Sequence, residues 1–383
     1  MRTTSRIELD KSAVESNINF LREQFGKDVR ISSVVKSNAY GHGFEQFVPI
    51  LKDLGLDHFS VFSTDEALEV YKVTGAQADI CVMGFVPDED MEWVVRNGIE
   101  FYVFEIDRLL EAMAVAGKLK TKAKIHLEVE TGMNRTGLQR NHLKQAVKYL
   151  KNHAGLFEIK GLCTHYAGAE SIANYVRVHR QIRAFNSIVR SLRRQGIYPD
   201  YCHTACSAAA MIYPKTRMDM VRIGIMQYGF WPGKETLLDY LHKNNLRTDP
   251  LKRVITWKSD IMSIKDVREG EFVSYGMSYL AQENKRIAII PVGYYHGYTR
   301  SLSNQGRVLI NGQVAQVIGL VNMNMLIADI TLIPGATIGD EVILIGSHGD
   351  VTISVASFGE FSDQLNYELL TRLPSNIERH VIN

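Results

Sequence analysis

Long apolar runs are missing from this 383-residue chain: no stretch reaches the roughly 18 continuous apolar residues that a membrane helix needs. The N-terminus, MRTTSRIELD, turns polar before any signal-like segment develops, so a soluble, cytoplasmic protein without a membrane partner is expected. An excess of charge is missing as well. The 44 basic and 42 acidic side chains nearly cancel, which leaves no net field to draw nucleic acid or anionic lipid and makes a small molecule the expected ligand. Cysteine is scarce. Cys81, Cys163, Cys202 and Cys206 are four in 383 residues, three of them in strand-like apolar segments, which argues against a disulfide framework. Also absent are a GxxxxGK phosphate loop, an HExxH pair and a glycine-rich dinucleotide fingerprint after the first strand, so sites of those kinds lose weight.

What is present begins with length. At 45% hydrophobic content the chain exceeds the roughly 250–300 residues at which single cores stop growing, and two domains are expected. Up to about residue 241, short apolar runs alternate with helical periodicity: ISSVV (31–35), FSVFS (59–63), ICVMGF (80–85), FYVF (101–104), KIHLEVE (124–130), KGLCTHY (160–166), YCHTACS (201–207) and MVRIGIMQYG (220–229). Between them lie helical stretches such as 12–26, with Val14, Ile18 and Leu21 on one face, and 171–196, which ends at glycine. Eight alternations predict a parallel (β/α)8 barrel over 1–241, with its chemistry where strands meet the following loops. From 242 to 383 the pattern predicts an all-β domain: strands at 254–267, 274–281, 285–295, 324–330 and 340–346, and a hairpin at 307–319 turning on Asn311-Gly312. No Pro- or Ser-rich linker separates the halves.

Reactive side chains cluster at the predicted strand ends: Lys36 and Tyr40 after the first, Arg135 after the fifth, His165 and Tyr166 at the sixth, His203 and Ser207 on the seventh, Arg222 on the eighth. A lysine amine in a protected barrel mouth can form a Schiff base with an aldehyde, and desolvation favours its neutral, nucleophilic form. Ser207, Tyr40 and the backbone N–H groups of Gly224 and Ile225 could hold a phosphate. An arginine such as Arg222 could face the nitrogen of a pyridine ring. Together these point to pyridoxal phosphate.

The motifs VVKSNAYGHG (34–43), ETGMNRTG (130–137), THYAGAE (164–170), HTACSAA (203–209), VRIGIMQYG (221–229), VSYGMSY (273–279), PVGYYHGY (291–298) and LNYELLTR (365–372) stand in an order that resembles the alanine racemase family, the barrel-type (fold type III) pyridoxal-phosphate enzymes. The resemblance runs from Ile7 to about Arg379. It implies a homodimeric racemase for a small amino acid, with Lys36 as the Schiff-base residue and one catalytic base, and Tyr275 from the second subunit as the opposing base. Two bases are needed because a proton leaves one face of the α-carbon and another arrives at the opposite face. A free phenol of pKa about 10 is only about 0.1% ionised at pH 7, a handicap of roughly 4 kcal/mol; in the family a chain from the ring-nitrogen arginine through a histidine lowers it, and Arg222 and His165 stand at those positions. The same resemblance assigns Ser207, Tyr40, Tyr367, Gly224 and Ile225 to the phosphate, Arg135 to the substrate carboxylate, Tyr294 and Met323 to the substrate site, and His203 to its support. Arg300 and Glu170 match charged residues of the entry corridor, where a plain surface ion pair explains them equally well.

Departures from the family pattern bear on specificity. Asn322-Met323-Asn324-Met325 stands where Cys-Met-Asp-Gln is usual, Gly293-Tyr294-Tyr295-His296-Gly297 replaces Gly-Tyr-Ala-Asp-Gly, and Cys206 replaces a common asparagine. Serine or broader specificity is therefore an alternative to alanine. Glu128 occupies the place, seven residues before Arg135, where many members carry a carbamylated lysine; the expectation is that its carboxylate supplies that negative charge and holds Arg135 directly. A non-catalytic pyridoxal-phosphate protein would not need Tyr275. A metal-dependent hydrolase would use His165, His203, Cys202 and Cys206, which lack paired metal-ligand spacing.

Overall fold

The computed structural model describes residues 3–355 and 366–383. It forms two compact units, one of Ser12–Ala39 and Val48–Arg253, the other of Met1–Lys11, Tyr40–Phe47 and Val254–Asn383. The sequence reading drew one boundary after 241. Strand pairing draws a different division, because β1 (Ser5–Asp10) joins the C-terminal sheet.

The first unit is the barrel. Its eight strands are β2 (Arg30–Val34), β3 (His58–Ser63), β4 (Asp79–Phe85), β5 (Glu100–Val103), β6 (Ala123–Glu128), β7 (Phe157–Cys163), β8 (Tyr201–His203) and β9 (Met220–Ile223). They pair in parallel in the order β8-β7-β6-β5-β4-β3-β2-β9, and a parallel bridge between Cys206 and Arg222 spans the remaining gap. Their apolar runs are nearly continuous because helices cover the outside and side chains fill the inside. The helix Lys11–Phe25 buries Val14, Ile18 and Leu21, as its spacing predicts. The helix Tyr175–Arg194 stops just before Gly196, whose φ of 77° suits glycine.

The second unit is mostly β. Its strands are β1, β10 (Ile255–Asp260), β11 (Ser263–Val267), β12 (Lys285–Ile290), β13 (Arg307–Ile310), β14 (Gln313–Gln316), β15 (Leu326–Asp329), β16 (Glu341–His348), β17 (Val351–Ile353) and β18 (Glu378–Ile382). One sheet runs β14-β13-β16-β10-β1-β18 with β17 against β16, and a second runs β11-β12-β15. Ile7 sits opposite Trp257 in the antiparallel β1/β10 pair, and both strands alternate buried and half-buried residues, the signature of a sheet with one covered face. The predicted hairpin forms with Asn311 and Gly312 both at positive φ, 50° and 75°, as its tight turn requires.

Several expected strands are revised. The segment 274–281 is a loop, because Ser274 and Gly276 adopt positive φ of 69° and 65°, leaving an isolated bridge from Phe272 to Leu280. The run 254–267 divides into β10 and β11, and 285–295 leaves the sheet after Ile290 for a 3-10 turn at Tyr294–His296. A helix, Asn366–Thr371, makes the unit mostly rather than wholly β; Leu365 of the LNYELLTR motif lies outside the described residues.

Candidate active site

Lys36 follows the C-terminal end of β2, and that end is clamped from several sides. Ser33 Oγ donates to Gln227 Oε1 at 2.7 Å, Gln227 Nε2 and the Tyr228 hydroxyl both donate to the Val34 carbonyl at 2.9 and 3.1 Å, and Val35 N donates to Ser60 O at 2.9 Å. Beyond Lys36 the chain winds one left-handed turn: Ser37, Asn38, Ala39 and Tyr40 have φ of 55°, 52°, 52° and 52°. Each such residue costs about 1–2 kcal/mol relative to the right-handed form, so the surroundings must hold the turn in place. Burial pulls the Lys36 amine below its ordinary pKa, the charge of Arg135 pulls further, and Glu66 opposes. The Glu66 carboxylate is in turn tied to the N–H groups of Ser37 at 2.5 Å and Phe62 at 2.8 Å.

Arg222 lies inside β9 rather than at its end, with its side chain almost fully buried. Its Nη1 donates to His203 Nδ1 at 2.7 Å and His203 O at 2.8 Å, and its Nη2 to Thr164 O at 2.8 Å and Thr204 O at 3.1 Å. These bonds run to His203, not to His165 as the sequence reading had it. His165 feels Arg222 only as a charge. Burial and the three cations Arg222, Arg135 and Lys36 push the His165 imidazole down to about 3, so it is neutral throughout the ordinary pH range. Ser207 opens the short helix Ser207–Ile212 rather than lying on a strand, and its Oγ accepts from Gly224 N at 3.2 Å.

The loop carrying Arg135 is organised by Glu130, whose carboxylate accepts from the N–H groups of Gly132, Met133 and Asn134. Gln181, buried on the long helix, ties this loop to the next one: it accepts from Ala167 N at 2.9 Å and donates to His165 O at 3.0 Å and Thr131 Oγ1 at 3.3 Å. Arg135 itself is exposed. Burial raises the Glu128 carboxyl above its ordinary pKa despite a hydrogen bond from Thr136 and the charges of Arg222 and Arg135, and Glu128 Oε2 has no hydrogen-bond partner among the described residues. The direct Glu128–Arg135 bond expected from sequence is not made among the described residues, and Arg135 acts on Glu128 through its charge.

In the second unit Tyr40 and Tyr367 bring their rings to 6.1 Å. Tyr275 is 72% exposed on its loop, Met323 55% and Tyr294 41%. Tyr294 and Met323 are neighbours, since Tyr294 N donates to Asn322 O and Tyr295 N to Met323 O, both at 3.0 Å. The hydroxyl of Ser274, next to Tyr275, faces Leu320 O at 2.9 Å and Asn322 Oδ1 at 3.3 Å. His296 accepts from Gly293 N on Nδ1 at 3.2 Å and meets Thr4 Oγ1 on Nε2 at 3.2 Å, a bridging role that explains an imidazole there. Arg300 and Glu170 are exposed.

A family model for the alanine racemase N-terminal domain matches residues 9–232, and one for the C-terminal domain matches 254–381. The chain belongs to the alanine racemase family. It is 32% identical to the alanine racemase of Leptospira interrogans over 99% of this chain and 96% of that protein, and 34% identical to that of Halothermothrix orenii over 98% and 96%. Among solved structures it resembles the alanine racemase of Bacillus anthracis with bound L-Ala-P (TM-score 0.90, 29% identity, 100% of this chain and 96% of the other). It also resembles that of Bartonella henselae with covalently bound pyridoxal phosphate (TM-score 0.86, 26% identity, 100% of both).

The residues present fit the cofactor named for the Bartonella alanine racemase. Lys36 offers an amine whose pKa is depressed by burial and Arg135. Arg222 spends four of its five N–H groups on protein acceptors, and its Nε–H has none among the described residues. Sequence reasoning missed Gln181 and the residues behind Arg222, namely His126, Glu100, His58 and Gly161. A histidine or glutamate inside an apolar strand was the available signal, but period alone does not say which face of a strand looks into the barrel.

Proposed function

We propose that this alanine racemase family member interconverts L- and D-alanine with pyridoxal phosphate held on Lys36, in a cytoplasmic homodimer whose sites each draw on both subunits. Exchanged from the Lys36 amine onto the substrate amine, the cofactor would supply an electron-withdrawing ring that acidifies the α-proton, and the exchange would free the Lys36 amine to act as a base. Lys36 takes or returns that proton on one face, and the partner's Tyr275 does so on the other. Arg135 pairs with the substrate carboxylate, while Tyr294 and Met323 narrow the entrance around a methyl group. Ser207, Gly224, Ile225, Tyr40 and Tyr367 hold the phosphate, and Arg222 faces the ring nitrogen with His203 behind it. A permanently charged donor there disfavours ring protonation and so limits side reactions. His165, kept neutral, can share a proton with the tyrosine without adding a charge. Glu128 lends negative charge to the carboxylate loop.

The observation that carries this reading is the Lys36 amine, set after a barrel strand and depressed below its ordinary pKa by burial and by Arg135, which favours its neutral, basic form. The test is a panel of L-amino acids in deuterium oxide followed by chiral analysis. Racemisation with α-deuterium incorporation, fastest for alanine, is expected. Preference for serine or a larger side chain would replace alanine as the substrate, and no α-exchange with any amino acid would remove the reading.

A further inference from the structure

Behind Arg222 a line of polar side chains runs through the barrel core. Arg222 Nη1 donates to His203 Nδ1 at 2.7 Å, His203 Nε2 lies 2.8 Å from His126 Nδ1, and His126 Nε2 lies 2.7 Å from Glu100 Oε2. The same Glu100 oxygen meets His58 Nε2 at 3.2 Å, and His58 Nδ1 meets Ser32 Oγ at 2.9 Å. Glu100, His126 and His58 are 0% exposed and His203 is 1% exposed. A β-carbon at Gly161 on β7 would stand 2.0 Å from His126 Nδ1 and 2.7 Å from His203 Nε2, so glycine there is what lets the two imidazoles meet.

Counting protons from Arg222 assigns the two histidines between it and Glu100. A guanidinium only donates, so His203 Nδ1 is a bare acceptor and the His203 proton is on Nε2. That proton points at His126 Nδ1, which puts the His126 proton on Nε2, facing Glu100. An ionised carboxylate only accepts, and the same Glu100 oxygen also meets His58 Nε2, whose Nδ1 lies against Ser32 Oγ. All these bonds are made with one positive charge at Arg222, one negative charge at Glu100 and neutral histidines between. The groups facing the line agree. Burial, then the charge of Arg222, holds His203 far below its ordinary value, and burial also lowers His126. Burial pushes Glu100 up, but the bonds from His126 and His58 outweigh it and keep the carboxyl below its ordinary range. Tyr102, whose ring lies 5.7 Å and 6.0 Å from those of His126 and His203, is kept neutral by burial, as are the Cys81 and Cys163 thiols.

We propose that Glu100 is a positioning residue for the racemase reaction: through neutral His126 and His203 it holds Arg222 aligned, with its Nε–H left for the cofactor's ring nitrogen. The proposal rests on the assignment of Arg222 to that nitrogen. The donor atoms of His58, Glu100 and His126 lie within 4.8 Å of one another, a spacing a cation could use. The 2.7 and 3.2 Å separations from Glu100 Oε2 are those of hydrogen bonds, and protons fill them.

The test uses the holoenzyme labelled with 15N-histidine. Long-range 1H–15N spectra of the unaltered protein should show His126 and His203 neutral and protonated on Nε2; either ring protonated on Nδ1, or on both nitrogens, overturns the proposal without need of any variant. In Glu100→Gln the ring signals of both histidines should move, and kcat should fall roughly tenfold while KM stays within about twofold. Gly161→Ala, which blocks the line and leaves the carboxylate, should reproduce the fall in kcat and move the His203 signals. Unchanged kcat in a folded Glu100→Gln protein removes the role of Glu100. Arg222→Ala separates the two levels. If it leaves turnover and the cofactor's visible spectrum unchanged, the assignment of Arg222 fails; if it damages both while Glu100→Gln is silent, only the role of Glu100 fails.

Discussion

A β-carbon at Gly293 would stand 2.1 Å from the carbonyl oxygen of Asn322. This closeness is what allows the Tyr294 and Tyr295 N–H groups to bond the carbonyls of Asn322 and Met323. Gly293→Ala must force the two loops apart, at a cost of about 1–3 kcal/mol for overpacking. Chemical denaturation measures that cost. In kinetics the variant should show a higher KM for alanine and a weaker preference for alanine over 2-aminobutyrate. An unchanged ratio between the two substrates would mean that these loops do not shape the entrance.

The left-handed turn after Lys36 makes a second prediction. Asn38, with φ of 52°, is among the residue types that tolerate this region, whereas a β-branched residue does not. Asn38→Val should lower stability by roughly 1–2 kcal/mol in urea and reduce turnover by displacing Lys36, while Asn38→Gly should be far milder. A valine variant as stable and active as the original would show that the turn is not held in this form.

Glu128 predicts a pH dependence with a definite sign. Its folded-state pKa is raised above the ordinary 4.5 by burial, so the native state keeps a proton that the unfolded state has already lost, and stability falls as pH rises through the window between the two values. Glu128→Gln removes that slope. The stability of the variant relative to the original should therefore improve as pH rises through the window, a trend read from denaturation midpoints at a series of pH values. Its alanine KM should rise more than its kcat falls, because the carboxylate acts on the Arg135 loop through charge. A parallel pH response and unchanged kinetics would remove Glu128 from the site.

A shared site makes the sharpest prediction about assembly. Lys36→Ala and Tyr275→Ala should each be nearly inactive alone. Co-expressed, they form mixed dimers in which one site collects both defects and the other collects neither, so random pairing should restore about a quarter of the original activity. Mixed dimers isolated with two different tags and still inactive would place both bases in one chain.

The barrel was legible because each strand and helix carries its own local signal: eight apolar runs, the 3.6-residue spacing of Val14, Ile18 and Leu21, and glycine at the end of the long helix. The loop at 274–281 was not, because alternating apolar residues read as a strand until Ser274 and Gly276 take positive φ. The N-terminal strand was likewise unassignable from its own residues, since only pairing with β10 and β18, some 250 residues away and more, gives it a sheet.

For the site, the same division holds. By itself the sequence determined the family, the barrel and the reactive residues at strand ends, since these depend on residue type and short spacing, which a linear chain displays in full. Tertiary structure alone decided that Arg222 bonds His203 rather than His165, that Arg135 acts on Glu128 as a charge and not as a bond, and that Glu100 stands behind the arginine through two imidazoles. The physical reason is closure. Side chains on β5, β6, β8 and β9 meet only when the sheet curls on itself, and whether a histidine there accepts or donates depends on neighbours that sequence distance does not reveal.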